Sequence, residues 1–215
     1  MCSRVFITET FDGFLKAIPF LRPSPRSKIR KYGDRSPTDP VLVCSIPSGA
    51  DPQWESKECS WGFLLSGQVK KRQAEFINAR SETLLEKPTW KGAASVPSTR
   101  CIVPISGFYE WPNGVRHRIL PKVADGFFIA GLTCLWTLPG ESLDTFTVIT
   151  TEPSWEFKPF HDRMPAILTL EQSHQWLTER DPIEAVKLLR PAKDGTILVA
   201  ESPTRPVQEK LDLGF

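Results

Sequence analysis

Short runs of β-branched and aromatic residues, each bounded by Gly, Pro, Ser or Asp, recur along the chain. Runs of this length and composition are typical of β-strands. The six runs that fit best cover residues 41–44, 60–64, 101–105, 126–132, 145–150 and 196–200. Twenty prolines are spread over the whole sequence, which argues against a bundle of long helices. The pattern therefore predicts a protein built mainly from strands.

Three other segments carry the marks of helices. Thr169 and Gln172 have the spacing of a capping box and predict a helix over residues 170–178. Pro182 suits the first position of a helix and predicts a second one over residues 182–190. Near the N-terminus, four apolar residues share one helical face: Phe11, Phe14, Leu15 and Ile18. We interpret these apolar faces as core faces with no further role.

A majority of strands with a few helices around them indicates an α+β fold. We expect a single domain over residues 2–215, with Met1 removed, built on a curved, barrel-like antiparallel β-sheet with a few peripheral helices. No internal repeat or interdomain linker is evident in the sequence. The Pro- and Arg-rich residues 21–40 are predicted to form an irregular surface loop.

The composition is that of an ordinary globular protein, with 40% hydrophobic and 24% charged residues among 215. The sequence has no apolar run of the roughly 18 residues that a membrane-spanning helix needs. Its first residues do not resemble a signal peptide. We therefore expect a soluble intracellular monomer, in the cytoplasm or nucleoid if bacterial or viral and in the nucleus if eukaryotic.

Cysteine and histidine are too sparse and too scattered to predict a metal site. The five cysteines are an odd number without a C-x-x-C pair, which favours reduced thiols over disulfides. Because only three histidines accompany them, a structural zinc site is not expected. We expect neither a metal nor a cofactor.

Positive charge is concentrated locally, although the net charge is only +2. One cluster lies within residues 22–35, and a second comprises residues 70–72 together with Arg80. Such patches are most often solvated surface. Two of them near aromatic residues would also suit a nucleic-acid backbone, so both interpretations stay open at this point.

Cys2 would become the N-terminal residue if Met1 were removed. Its α-amine, with a pKa of about 7.7–8.0, and its thiol, with a pKa of about 8.5, would then lie on adjacent carbons. Such an amine condenses with an aldehyde to an imine, and the thiol then closes a five-membered thiazolidine on the same carbon. The alternative is that cysteine stands second in the sequence by accident.

Asn78 and Arg80 are two residues apart and project to the same side if their segment is extended. An amide and a guanidinium in this arrangement could hold a phosphate and a neighbouring polar group. The simpler alternative is a surface ion pair between Arg80 and Glu82.

Glu110 is a candidate for proton transfer because it stands between Tyr109 and Trp111. Partial loss of water beside these rings would raise the pKa of the carboxyl group and suit it to general acid–base chemistry near pH 7. The alternative is a carboxylate that points outward from the end of a strand.

His161 is the second candidate, since imidazole is the side chain best suited to proton transfer at neutral pH and its charged neighbours could tune it. A lone histidine in a loop is nevertheless more often inert. We assign no role to His117, which stands between two arginines and is interpreted as solvated surface, or to His174, which stands on a predicted helix.

Five motifs in this order resemble the SRAP family of SOS-response-associated peptidases, whose members shield abasic sites in single-stranded DNA. The motifs are Met-Cys-x-Arg at the start, then Trp-Gly, Asn-Ala-Arg-x-Glu-Thr, Gly-Phe-Tyr-Glu-Trp and His-Asp-Arg-Met-Pro. The resemblance spans roughly residues 2–170. It implies a self-modifying enzyme that forms a covalent DNA–protein cross-link and whose partner is single-stranded DNA containing abasic sites.

The resemblance also implies a role for each matching residue. Cys2 would be the nucleophile that condenses with the aldehyde of the opened sugar, and Asn78 would orient its amine. Glu110 would promote opening of the sugar ring, and His161 would donate a proton to the sugar oxygen and help to reverse the link. The residues implied in DNA contact are the phosphate clamp of Arg4, Arg80 and Arg163, the pocket hydroxyl of Thr150, and the base-stacking Trp61 and Phe63.

The sequence departs from the family pattern in three places. Ser3 stands where glycine is usual, Asp34 stands where an amide is usual, and residues 202–208 lack an expected asparagine. These departures motivate one alternative, a non-catalytic protein that binds single-stranded DNA. The other alternative is a thiol hydrolase or peptidase in which His161 activates Cys2. In the leading interpretation, the protein would have two further activities: a peptidase activity that acts in its own processing, and an AP-lyase activity.

Overall fold

Strands greatly outnumber helices in the computed structural model, which describes residues 2–22, 32–48, 53–68 and 75–201. The strands are β1 (Val5–Ile7), β2 (Leu21–Arg22), β3 (Gly33–Arg35), β4 (Pro40–Ser45), β5 (Trp54–Trp61), β6 (Asn78–Arg80), β7 (Arg100–Ile105), β8 (Gly107–Glu110), β9 (His117–Pro121), β10 (Phe127–Leu138), β11 (Glu141–Thr151), β12 (Met164–Pro165), β13 (Ile167–Leu168) and β14 (Ile197–Glu201). The helices are α1 (Phe11–Lys16), α2 (Pro88–Ser95), α3 (Leu170–Thr178) and α4 (Pro182–Val186).

Five of the strands close into a barrel. In the order β11, β10, β7, β4 and β5, each strand is hydrogen-bonded to the next, and β5 pairs with β11 to complete the ring. The expected α+β fold on a barrel-like sheet is therefore confirmed. Most of its strand pairs are antiparallel, as expected, but β11 runs parallel to β5 and to β6, and β2 runs parallel to β5.

A second sheet of five antiparallel strands, in the order β14-β9-β8-β1-β3, packs against the barrel. Its inner face contributes Val5, Phe108 and Ile119 to the same buried cluster as Val103 and Phe146 of the barrel. The two sheets thus share one core. Since β1 and β8 lie in the middle of the second sheet, they hold the N-terminal segment against the barrel.

Most of the predicted strands are present with shifted ends. Those at 41–44, 101–105, 126–132, 145–150 and 196–200 correspond to β4, β7, β10, β11 and β14. The prediction of a strand over 60–64 was wrong beyond Trp61, because Gly62 has a φ of +128° and takes the chain out of β5. The segment 21–40 is not wholly irregular, since β2 and β3 lie in it; its residues 23–31 fall outside the described ranges, as do residues 70–72 and 202–215.

The predicted helices are present, but α1 ends at Lys16, before Ile18 of the predicted helical face, and α4 is shorter than predicted. Thr169 and Gln172 form the capping box at the start of α3, with reciprocal hydrogen bonds of 3.1 and 3.0 Å. Helix α4 ends at Val186, earlier than predicted, and Leu189 packs into the core beyond it. Helix α2 was not predicted. In the ranges that the structure describes, no helix is long and apolar enough to cross a membrane.

Gly131 of β10 allows a close approach of the barrel strands, which predicts an effect on stability. A Cβ at this position would lie 2.7 Å from the Thr147 carbonyl oxygen and 2.9 Å from the Cys101 sulfur. We expect Gly131→Ala to lower the free energy of unfolding by about 1–3 kcal/mol, because the barrel must shift to admit the methyl group. Urea-induced unfolding measures this change.

Gly92 provides the matched control. A Cβ at Gly92, in α2, would meet no heavy atom within 4 Å. Gly92→Ala should therefore leave the stability unchanged or raise it by up to about 1 kcal/mol through helix propensity. Equal unfolding midpoints for Gly131→Ala and the unaltered protein would contradict the predicted close packing.

Candidate active site

Pairing of β1 with β8 brings the N-terminal segment beside Glu110. Val5 is registered with Phe108, and the Tyr109 N–H donates to the Arg4 carbonyl oxygen at 3.0 Å. Continuing this antiparallel register by two residues places Ser3 opposite Glu110, and Cys2 is the next residue along the chain. Glu110 also acts on Cys2 through its charge. Burial is the main cause that raises the pKa of the Cys2 thiol far above its ordinary value, and the negative charge of Glu110 raises it further. Cys2 is fully buried and carries a thiol, not a thiolate, at neutral pH.

Asn78 holds residue 2 by its main chain. Strand β6 lies parallel to β11, with Asn78 registered against Val148, and the Asn78 Nδ2 donates to the Cys2 carbonyl oxygen at 3.0 Å. Its Oδ1 atom is buried and has no hydrogen-bond partner among the described residues. A buried acceptor without a donor costs free energy, on the order of 1–3 kcal/mol. This amide oxygen is therefore a ready acceptor for an N–H group.

Glu110 is a buried carboxyl group that titrates near neutrality. It is 3% exposed at the end of β8. Burial raises the pKa of Glu110 to about 7, and the negative charge of Asp162 contributes in the same direction. A carboxyl group with this pKa can donate or accept a proton at physiological pH, which is the property required of a general acid–base catalyst.

His161 follows the turn that ends at Phe160 and is held at its Nδ1 atom. The main-chain N–H of Arg163 donates to Nδ1 at 2.9 Å, and Asp162 Oδ1 lies 2.7 Å from the same atom. Burial lowers the pKa of His161 below its ordinary value. The neutral imidazole is therefore favoured at pH 7, and its Nδ1 is occupied as an acceptor.

Arg163 is largely buried and is bound to other residues of the protein, with its side chain 12% exposed. Its guanidinium donates two hydrogen bonds of 2.9 Å to the Glu82 carboxylate and one of 2.7 Å to the Thr150 carbonyl oxygen. Glu82 thus pairs with Arg163 and not, as the alternative interpretation had it, with Arg80. Thr150 is fully buried, with its hydroxyl 3.4 Å from the Ala79 carbonyl oxygen.

The other two arginines are more accessible. Arg80 is exposed at the end of β6 and forms no ion pair or side-chain hydrogen bond with any residue that the structure describes. Because buried Ala79 separates them in an extended strand, Asn78 and Arg80 project to the same side, as predicted. Arg4 is half-buried, with its Nε 3.4 Å from the Ser36 hydroxyl.

Trp61 and Phe63 are core residues, which corrects their expected role in stacking on bases. Trp61 is fully buried, donates from its indole N–H to the Ile77 carbonyl oxygen at 2.9 Å, and stacks on Phe146. Phe63 is 1% exposed and packs edge-to-face on Trp90. Neither ring offers a face to a DNA base in this structure. Trp111, beside Glu110, is 38% exposed and does offer one.

Two contacts in the site, those of His117 and of Asp34, were not predicted from the sequence. His117 is half-buried and registered directly opposite Glu110 in the β8–β9 pair, with its ring edge-to-face against Phe160; the interpretation as solvated surface was wrong. The alternation of β9 could have indicated this, since Ile119 two residues later is buried. Asp34, a departure from the family pattern, accepts a hydrogen bond from the Tyr109 hydroxyl at 3.2 Å.

The structure thus brings three of the predicted residues together, Cys2, Asn78 and Glu110, and places the segment that carries His161 near them. Electrostatic effects link Cys2 to Glu110, and a hydrogen bond links Asn78 to Cys2. His161 follows Phe160, whose ring contacts His117 opposite Glu110, and the charge of the next residue, Asp162, acts on Glu110. In the described part of the chain no group of three or more His, Cys, Asp or Glu side chains is arranged to hold a metal ion. The arrangement suits proton transfer next to a main-chain segment held at residue 2.

Comparison with known proteins identifies similar sequences over nearly the whole chain. The family model of the SOS response associated peptidase (SRAP) matches residues 1–210. The abasic site processing protein YoqW of Bacillus subtilis (strain 168) is 32% identical over 200 residues, which cover 89% of this chain and 87% of YoqW. The abasic site processing protein HMCES of Gallus gallus is 32% identical over 165 residues, or 62% of this chain and 49% of HMCES.

Solved structures with a similar fold include proteins of two bacteria. A protein of Bordetella bronchiseptica superposes with a TM-score of 0.78 at 23% identity, covering 94% of this chain and 100% of the other. A protein of Bacteroides thetaiotaomicron gives a TM-score of 0.67 at 27% identity, covering 76% of this chain and 74% of the other. The first likeness shows the fold alone.

The raised pKa of Glu110 predicts a pH dependence of stability. Because the pKa rises from 4.5 in the unfolded chain to about 7 in the fold, the folded state binds the proton more tightly, and stability falls as pH rises between these values. Glu110→Gln removes this loss. We expect the free energy of unfolding of Glu110→Gln, relative to the unaltered protein, to increase by about 3 kcal/mol between pH 4 and pH 8.

Urea-induced unfolding at a series of pH values measures this difference, with Glu86→Gln as the control. Glu86 is exposed, so its neutralisation should give no comparable gain. If Glu110→Gln gained no stability on going from pH 4 to pH 8, Glu110 would be ionised in the fold as readily as in water.

Proposed function

Because the chain belongs to the SOS response associated peptidase (SRAP) family, we propose that it processes abasic sites in single-stranded DNA by linking itself to them through Cys2. The curated relatives named above are abasic site processing proteins. The observation that carries the proposal is Glu110, a buried acid with a pKa of about 7 beside Cys2, whose main chain Asn78 holds. Removal of Met1 is the first requirement, since it creates the amine.

The amine of Cys2 is the group that attacks first. Burial keeps the thiol protonated, so a thiolate is not available as the initial nucleophile. The amine adds to the aldehyde of the opened sugar and, with loss of one water molecule, gives an imine. The thiol then adds across the C=N bond: sulfur bonds to carbon, the thiol proton goes to nitrogen, and the product is a thiazolidine.

Glu110 supplies the proton transfers that this sequence of steps needs. An abasic sugar is mostly a closed hemiacetal, so its ring must open before the amine can react. A positioned acid–base group accelerates such a step by about 10²–10⁴-fold. With a pKa of about 7, Glu110 is present at neutral pH in both the donor and the acceptor form.

Asn78 and His161 complete the site by orientation and by proton donation. Asn78 Nδ2 fixes the carbonyl of residue 2, and its buried Oδ1 is an acceptor for the Cys2 amine. The Nδ1 atom of His161 accepts from the main chain, so the neutral ring carries its proton on Nε2. That proton serves the sugar oxygen during ring opening and in reversal of the link.

Contact with the DNA backbone and bases uses exposed groups. Arg80 is exposed and unpaired within the described residues, and Arg4 is half-buried, so these two are the proposed phosphate contacts. Trp111, 38% exposed beside Glu110, provides a face for a base next to the abasic site, which favours an unpaired strand. It takes the role that Trp61 and Phe63, as core residues, cannot fill.

The two alternative functions are less well supported. A thiol hydrolase needs a thiolate, and burial of Cys2 together with the charge of Glu110 opposes its formation. A non-catalytic DNA-binding protein was motivated partly by Asp34. Because Asp34 accepts a hydrogen bond from Tyr109, its presence is compatible with an ordered site and is no sign of a lost one.

The requirement for both groups of Cys2 can be tested on an abasic single-stranded oligonucleotide. We expect the unaltered protein to give a heat-stable adduct one water lighter than the sum of its parts by intact mass. Cys2→Ser should give only an imine, which borohydride traps and heat destroys. A residue retained ahead of Cys2 should abolish the heat-stable adduct, because it converts the Cys2 amine into an amide and its own α-amine can form only an imine.

Cys134→Ser is the control, since Cys134 is the most accessible of the five thiols and lies on β10 away from the site. It should react as the unaltered protein does. A heat-stable adduct formed by the protein with a blocked amine would sink the proposed mechanism.

The acid–base role of Glu110 predicts a loss of rate without a loss of affinity. Glu110→Gln keeps the size of the side chain but carries no exchangeable acid proton. We expect cross-linking to slow by about 10²–10⁴-fold, while the Kd for intact single-stranded DNA changes less than threefold. Single-turnover gel assays and fluorescence anisotropy measure the two quantities. Should the variant cross-link at the unaltered rate, Glu110 has no part in the chemistry.

A further inference from the structure

The second sheet has one face in the core and one face turned away from it. On β1, β8 and β9 the core residues are Val5, Phe108 and Ile119. Because successive side chains of a strand point to opposite faces, the residues next to them in sequence lie on the other face, which we call the outer face. These residues are Phe6, Tyr109 and Arg118, and none of them belongs to the buried core clusters.

Arg4 and Arg118 flank Tyr109 on this outer face. Tyr109 is registered with Arg118 on β9, and on its other side its main-chain N–H donates to the Arg4 carbonyl oxygen at 3.0 Å. The Arg4 Nε lies 3.4 Å from the hydroxyl of Ser36, two residues beyond Asp34, which accepts a hydrogen bond from the Tyr109 hydroxyl. Since neighbouring strands are about 4.8 Å apart, the main chains of the two arginines are separated by about 10 Å across the sheet.

Aromatic rings hold the guanidinium groups of Arg116 and Arg118. The Arg118 Cζ lies 4.6 Å from the centre of the Phe6 ring, and the Arg116 Cζ lies 5.3 Å from the centre of the Tyr109 ring. A guanidinium that stacks on a ring keeps the donors at its edge for another partner. Arg118 is half-buried, and it forms no ion pair or side-chain hydrogen bond within the part of the chain that the structure describes. Its donors are thus oriented and available.

Positive charge prevails on this part of the outer face. Burial and the charge of Asp34 raise the pKa of Tyr109, and the charges of Arg118 and Arg116 oppose this rise, so all four groups are electrostatically close. Together with Arg4, these two arginines outweigh the single charge of Asp34. A polyanion is therefore the kind of partner that this surface attracts.

We propose that the outer face binds the backbone of single-stranded DNA on one side of the abasic site, with Arg116 and Arg118 as its phosphate contacts. The path from the site to this surface is continuous, because the exposed ring of Trp111 contacts the ring of Tyr109 at 5.9 Å between centres. A base that stacks on Trp111 brings the phosphates of the following nucleotides to the arginines. This inference rests on the proposed function, because it extends the DNA path of that site.

The salt dependence of binding to intact single-stranded DNA tests the two phosphate contacts. Fluorescence anisotropy gives the Kd at a series of salt concentrations. Each lost contact with a phosphate should reduce the slope of log Kd against log salt by about 0.7. We therefore expect a reduction of about 0.7 for Arg118→Gln and of about 1.4 for the double variant Arg116→Gln, Arg118→Gln. A slope that is the same in the double variant and the unaltered protein overturns the proposal.

Three further variants make this result specific. Arg180→Gln is the matched control, since Arg180 is exposed beyond the end of α3 and outside the second sheet; removing its charge should leave the slope unchanged. Arg118→Lys keeps the charge without the planar group and should keep the slope. Arg116→Gln alone provides the reading if Arg118→Gln does not fold, because Arg118 packs on Phe6. A reduction in Arg180→Gln as large as in Arg118→Gln overturns the proposal, because the effect then comes from net charge.

Two abasic oligonucleotides locate the contact relative to the lesion, one extended only on its 5′ side and the other only on its 3′ side. Because the outer face lies to one side of Glu110, the double variant should lose affinity mainly for one of the two strands. Equal losses on both strands would place the arginines at the lesion itself and overturn the proposal. An unaltered protein that forms no adduct refutes the proposed function, while the slope measured with intact DNA still decides whether the outer face binds a strand.

Discussion

The parallel pairing along one edge of β11 closes the barrel and sets the position of the site. Strand β5 covers the first part of this edge, with Phe146 registered against Trp61, and leaves it at Gly62. Strand β6 covers the second part, with Val148 registered against Asn78. The junction has no gap, because the Gly62 N–H donates to the Phe146 carbonyl at 2.7 Å and the Val148 N–H donates to the Ile77 carbonyl at 3.1 Å. Asn78 therefore enters the site as part of the barrel wall and not of a loop.

The excursion of the chain between β5 and β6 explains the burial of two aromatic residues. A chain that leaves and rejoins the same edge needs an anchor at the point of departure, and Trp61 and Phe63 provide it. The Trp61 indole donates to the Ile77 carbonyl, on the returning segment, and Phe63 packs on Trp90 of α2. Closure of the barrel is thus enough to explain the Trp-Gly motif at Trp61 and Gly62.

Features of the fold and the site that depend on residues close together in the sequence were predicted, whereas features that depend on contacts between distant segments were not. The start of helix α3 was predicted because a capping box is contained in four residues. Candidate chemistry at Cys2, Asn78, Glu110 and His161 was identified by residue type and motif. The burial of Trp61, the pair of Arg163 with Glu82 and the placement of His117 opposite Glu110 depend on contacts between distant segments, 81 residues apart in the case of the ion pair. Composition and spacing contain no record of such contacts.

The same exclusion of water that builds the core also gives the site its chemical character. Burial raises the pKa of Glu110 to about 7 and that of the Cys2 thiol far higher, so one group becomes able to exchange protons while the other is kept from ionising. A free thiolate at this position would react reversibly with aldehydes and would also be open to oxidation. A neutral thiol is protected from both reactions and adds to the imine once the imine has formed. Because Asn78 holds residue 2 by its carbonyl, the nitrogen of that residue is left for the chemistry that the proposed function assigns to it.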